Sequence, residues 1–181
     1  MAADRFIVVT GGPGSGKTSL IDALQAQGYA RSIEAGRAII QDQMMIDGPA
    51  LPWKDPELFA EAMLIWEMRS YRMAQSMAGP VIFDRGVPDA IGYLRLLNRP
   101  IPSHFHEAAR HFRYNPTVFI APPWAEIFTQ DRERKQSFEE ACRTFEAMVA
   151  VYSACGYSLV ELPLAPVQER LSFLKSHLKQ P

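Results

Sequence analysis

Short apolar runs alternate with longer amphipathic stretches along the 181 residues of the chain. The runs at 6–10, 81–83, 117–121 and 158–161 are too short for helices and read as strands, with a weaker one at 29–33. Helical spacing of apolar positions marks 17–27, 36–47, 56–78, 88–97, 102–112, 137–155 and 166–178. Gly28, the Gly48-Pro49 and Gly79-Pro80 pairs and Gly156 punctuate the ends of four of these segments. Pro88 and Pro102 stand at helix starts, where a missing N–H costs nothing. Strands separated by helices predict the α/β class, with a parallel sheet covered on both faces. Neither a repeat nor a linker divides the chain, so one domain spanning 1–181 is expected.

Composition narrows the picture. At 48% hydrophobic residues the chain can bury a sizeable core. Nineteen basic against 20 acidic residues leave a net charge of -1, with no global field to attract nucleic acid or a membrane surface. Cys142 and Cys155 form no CxxC pair and suit a reducing compartment. No apolar run approaches the roughly 18 residues of a membrane span. The N-terminus, MAADRF, carries no signal-peptide apolar region. These features predict a soluble, cytoplasmic protein.

The chemistry begins in GGPGSGKT, residues 11–18, which fits G-x-x-x-x-G-K-[ST] between a strand and a helix. Phosphate oxygens need many donors at close range. Glycines let the backbone of Gly11, Gly12, Pro13, Gly14, Ser15 and Gly16 curl, so that successive N–H groups point inward. The helix that follows aims its positive dipole end at the same spot, bringing the backbone of Lys17, Thr18 and Ser19 into play. Lys17 can reach the outer phosphates and Thr18 can ligate Mg²⁺. The expected cofactors are ATP or another nucleoside triphosphate, and Mg²⁺.

Three further stretches qualify that ligand. In GPVIFDRGVPD, Asp84 stands at the C-terminal tip of a buried strand, where parallel sheets bind ligands. There it can hold Mg²⁺ through water, with Arg85 beside the transferring phosphate or the acceptor. The plainer reading is a solvated Asp-Arg-Gly turn. In RSIEAGRAII, Glu34 can take a proton from a substrate hydroxyl and Arg37 can grip an anionic acceptor. Equally, Glu34 can complement the dipole of the next helix, with an unrelated arginine behind it. In DRERKQSF, Arg132, Arg134 and Lys135 form a dense cluster. It is either a solvated helix end or a lid near 124–138 that brings cations over the transferring phosphoryl group. Trp53, in a proline-bounded loop, either lines an acceptor pocket or anchors that loop.

The pieces TGGPGSGKT, EAGRAIIQ, FDRGVPD, APPW, DRERKQSFEEA and YSLVELP resemble small AAA-type P-loop ATPases. These are related to the nicotinamide-riboside kinase domain and to nucleoside and nucleotide kinases. The resemblance implies a three-layer P-loop NTPase fold with a five-stranded parallel sheet, its phosphate-loop strand central and helices on both faces. It implies Asp84 near Mg²⁺, Arg85 near phosphate, lid arginines at 132 and 134, and Glu34 as the base. It also places the nucleobase against the loop 161–167, where Pro163 and Pro166 offer an apolar shelf. The expected activity is phosphoryl transfer to a small-molecule acceptor. The alternative is a nucleotide-dependent switch. No N/T-K-x-D motif or LSGGQ-type signature is present, which lowers the GTPase and transporter readings.

Overall fold

The computed structural model describes residues 2–128 and 136–178. Five strands, β1 Phe6–Gly11, β2 Ala30–Arg31, β3 Val81–Asp84, β4 Thr117–Ala121 and β5 Ser158–Glu161, form one sheet in the order β2-β3-β1-β4-β5. All four pairings are parallel. The helices are α1 Lys17–Ala26, α2 Ala35–Met45, α3 Pro56–Ala74, α4 Val87–Leu96, α5 Ser103–His111, α6 Phe138–Ala154 and α7 Val167–His177.

The two-residue period of the strands sorts the core into two layers. Phe6 and Val8 of β1, Phe83 of β3 and Val118 of β4 face the side covered by α2 to α6. Ile7, Val9, Ile82 and Phe119 face α1 and α7. Both faces of β1 are therefore buried, which explains why its sequence shows no polar alternation. From β1 the chain builds outward to β3 on one side and β4 on the other, so the strand order reverses at the C-terminal end of β1. Ligands bind parallel sheets in the crevice at such a reversal.

Two elements are shorter than their sequence pattern. The strand expected at 29–33 is reduced to Ala30–Arg31. Ser32 still donates its N–H to the Ile82 carbonyl, 2.8 Å, but its hydroxyl takes the N–H of Asp84, and Ile33 turns to solvent. The helix expected to run to 78 stops at Ala74. The guanidinium of Arg5 collects the carbonyls of Ala74, Gln75, Met77 and Gly79 there and replaces further helical bonding.

Gly11 ends β1 at φ +127°, and a Cβ there would lie 2.4 Å from the Ala121 carbonyl oxygen of β4. Gly28 also has positive φ, +92°, but faces open space. Gly11→Ala should therefore cost about 2–4 kcal/mol in urea unfolding, and Gly28→Ala only about 1 kcal/mol. Equal losses would mean that β1 and β4 are free to separate at this point.

Candidate active site

The phosphate loop leaves the tip of β1 and enters α1 without a side-chain cap. Gly16, the residue before α1, adopts φ 74°, and the first turn of α1 carries no acidic residue. The helix end is left with its N–H donors and its positive dipole. Gly14 at φ 69° completes the curl. Ser15 Oγ donates to the Gly12 carbonyl at 2.8 Å. The buried Lys17 folds back across the loop, its Nζ 2.5 Å from the Gly12 carbonyl and 3.2 Å from Ser15 Oγ. A cleft of about 410 Å³ opens over this loop, lined from Pro13 to Ser19 and by Glu34, Arg37 and Asp84.

Beside it stands a buried charge network. Arg85 holds the left-handed backbone, φ 77°, which costs a residue with a Cβ roughly 1–2 kcal/mol. Its Nη1 donates to Asp89 Oδ1 at 3.0 Å and its Nε lies 3.3 Å from Glu34 Oε1. Asp89 is 1% exposed and fully engaged. One oxygen accepts from Thr10 Oγ1 at 2.6 Å and from Arg85; the other accepts from the Gly86 N–H at 2.9 Å and the Tyr152 hydroxyl at 2.6 Å. Burial alone would depress the guanidinium of Arg85, but the carboxylates of Asp89, Glu34 and Asp84 outweigh it and raise its pKa. Asp84, at the tip of β3 in register with Val9, is buried within the same group.

A second cleft of about 280 Å³ adjoins the first. Trp53, Phe59, Met63, Tyr93 and Met148 line its body, and Glu34, Arg85 and Asp89 stand among its polar groups. Burial pushes the Tyr93 phenol up to about 12, so it is neutral at ordinary pH. Glu34 lines both clefts, as do Pro13 and Gln136. The Glu34 side chain makes no cap to α2 but turns to Arg85, with Arg37 Nε 3.9 Å from its other oxygen.

The structure thus brings the phosphate loop, Glu34, Asp84 and Arg85 together. Trp53 lies in the wall of the second cleft and stays 59% exposed. Arg37 lines the phosphate cleft rather than the second one. Of the two shelf prolines, Pro166 lines the phosphate cleft, beside Ala165 and Val167, and Pro163 stands outside its lining. Arg132, Arg134 and Lys135 lie outside the described residues, while the flanking Trp124, Ile127, Phe128 and Gln136 line the phosphate cleft. Three residues escaped the sequence reading. Asp89 was signalled by its place three residues after the helix-starting Gly86. Glu67 and Arg170 carried no signal, since each sits inside an ordinary amphipathic helix.

Glu67, on α3, is 1% exposed, and neither carboxyl oxygen has a hydrogen-bond partner. Burial first, then the charges of Asp89 and Asp84, push it well above the usual carboxylate range. Its protonated form is favoured by this place beside the charge network.

A family model described as an AAA domain matches residues 6–170, and the chain belongs to that AAA domain family. No curated protein matches it in sequence. Its fold is that of the kinase-like P-loop NTPases. A NadR protein in complex with NR superposes with a TM-score of 0.75 at 17% identity, over 99% of this chain and 52% of that one. The chain thus spans about half the length of that relative. Deoxyadenosine kinase from M. mycoides with bound dATP gives 0.67 at 14% identity, over 97% of this chain and 100% of the other. Thymidylate kinase from Ehrlichia chaffeensis gives 0.61 at 15% identity, over 98% and 100%. At these identities the likeness shows the fold. No helix among the described residues is long and apolar enough to cross a membrane.

The neutral Glu67 makes stability depend on pH. An unfolded glutamate ionises near 4.5, whereas the folded one keeps its proton. The stabilisation is therefore complete below pH 4.5 and is lost as pH rises toward the raised native value. Glu67→Gln should remove this loss. Its urea midpoint, relative to the natural chain, should be more favourable at about pH 8 than at about pH 5. An equal difference at both pH values would mean that the folded carboxyl is ionised.

Proposed function

We propose that the chain is an ATP- and Mg²⁺-dependent phosphotransferase that moves the γ-phosphoryl group to a hydroxyl of a small molecule, of the nucleoside, nucleotide or vitamin-like class. The observation that carries this reading is the position of Glu34, one carboxylate lining both the phosphate cleft and the second, largely apolar cleft. A hydrolase has no use for an apolar, aromatic-lined cleft on the far side of its base. Solved structures of the same fold with NR, with NAD and AMP-PNP, and with dATP give the reading further support.

The roles follow from chemistry. The phosphate loop and the α1 dipole receive the triphosphate, and Lys17 swings from the Gly12 carbonyl onto the outer phosphates. Thr18 and Asp84 line the same cleft and present hard oxygen donors, which fit Mg²⁺. Bound there, Mg²⁺ would supply neutralisation of the charge on the phosphates. The acceptor lies in the second cleft with its ring against Trp53, Phe59 or Tyr93 and its hydroxyl at Glu34. The acceptor oxygen bonds to Pγ, the Pγ–O bond to ADP breaks, and the hydroxyl proton passes to the Glu34 carboxylate. Arg85 and Arg37 hold that carboxylate between the two clefts. An alternative use of the same loop, as a nucleotide switch, predicts hydrolysis without an acceptor.

Lys17→Ala should lower turnover by a factor on the order of 10² or more without unfolding the chain. Glu34→Gln should leave nucleotide affinity intact and cut transfer by about 10²–10⁴. Calorimetric titration with a non-hydrolysable analogue, paired with product assays, separates the two effects. Full transfer by Glu34→Gln would remove this residue from the chemistry.

A further inference from the structure

We propose that Arg170 is a nucleotide-binding residue, its guanidinium taking the phosphate nearest the nucleoside in the bound triphosphate. The proposal rests on the nucleotide-binding part of the reading above.

Arg170 lies on α7, 2% exposed and among the largest fully buried side chains. A buried guanidinium is expensive unless a counter-charge accompanies it. Arg85, also buried, has Asp89 and Glu34. Among the described residues, Arg170 has no carboxylate within ion-pairing distance. Its Nη1 makes one long bond, 3.3 Å, to the Gly16 carbonyl, and that oxygen is already taken by the N–H of Leu20. Its Nε has no hydrogen-bond partner among the described residues. Burial accordingly pushes its pKa below the ordinary arginine value.

The side chain is nonetheless directed at the ligand cleft, whose wall it shares with Lys17, Thr18 and Ser19. The absence of a Cβ at Gly16 is what lets it in, since an ideal Cβ there would stand 2.6 Å from Arg170 Nη1. The two cations occupy opposite ends of the loop. The Lys17 ammonium lies at Gly12, the end serving the outer phosphates, and Arg170 lies at Gly16, the end serving the inner ones. The inner phosphate supplies the missing counter-charge, with the Nε–H edge as the free donor.

The test is calorimetric titration of AMP-PNP, ADP and AMP, each with Mg²⁺, into the natural chain, Arg170→Met and Arg170→Lys. Arg170→Met should lose about 10- to 100-fold in affinity for all three, because they share the inner phosphate. Its melting point without nucleotide should be no lower than that of the natural chain, since an uncompensated buried charge is gone. Arg170→Lys keeps a charge but not the Nε edge, and should lose roughly 3- to 10-fold for each nucleotide. It decides the matter by itself if the methionine variant does not fold. Unchanged affinities, or a lower melting point with unchanged affinities, would overturn the proposal and make Arg170 a packing residue. In that case the natural chain still binds nucleotide and the phosphotransferase reading stands. Failure of the natural chain to bind any of the three would overturn both.

Discussion

The buried ion pair between Arg85 and Asp89 is the contact on which the site depends. Asp89 gathers donors from β1 through Thr10, from the entry of α4 through Gly86, from α6 through Tyr152, and from Arg85 itself. One carboxylate therefore fixes the mutual position of the central strand, the β3–α4 turn and a helix from the far part of the chain. Only such a clamp can hold Arg85 in a left-handed backbone against a strain of roughly 1–2 kcal/mol. The reward is directional: the remaining edge of the guanidinium faces Glu34 and sets that carboxylate between the two clefts.

Charge is divided between the two sides of this clamp. Lys17, Arg37 and Arg170 line the phosphate cleft, together with the positive end of α1. Glu34 and Asp89 stand at the polar end of the second cleft, over an apolar body. Glu67 is buried close by, and burial first, then the like charges of Asp89 and Asp84, raises its pKa and favours the protonated form. The two clefts thus differ in character and meet at one carboxylate, which suits the proposed division between a polyanion and an acceptor.

Much of this was legible in the sequence because local pattern and global fold agree. The strands at 117–121 and 158–161 were bounded by proline or glycine and emerged unchanged. The phosphate loop was unmistakable, since its glycines, lysine and threonine are each required at fixed offsets. What stayed hidden depends on distant partners. The β2 strand shortened because Ser32 spends its hydroxyl on Asp84, 52 residues away. The early end of α3 is set by Arg5, at the other end of the domain. Arg170 reads as an ordinary polar position of a helix, and only packing of α7 beside the Gly16 backbone makes it a buried cation. The loop after β5 was read in the same way: the pattern located Pro163 and Pro166, and packing decides that Pro166 is the one in the wall of the cleft.

The central claim is that Glu34 serves two clefts, so that phosphoryl transfer runs to an acceptor rather than to water. The most direct measurement follows the label from γ-labelled ATP, with Mg²⁺, in the presence of a panel of nucleosides, nucleotides and vitamins. The account predicts that with at least one acceptor class the label appears in an organic phosphate ester, at a rate well above that of inorganic phosphate release. Label appearing only as inorganic phosphate, at a rate indifferent to every acceptor, would contradict it.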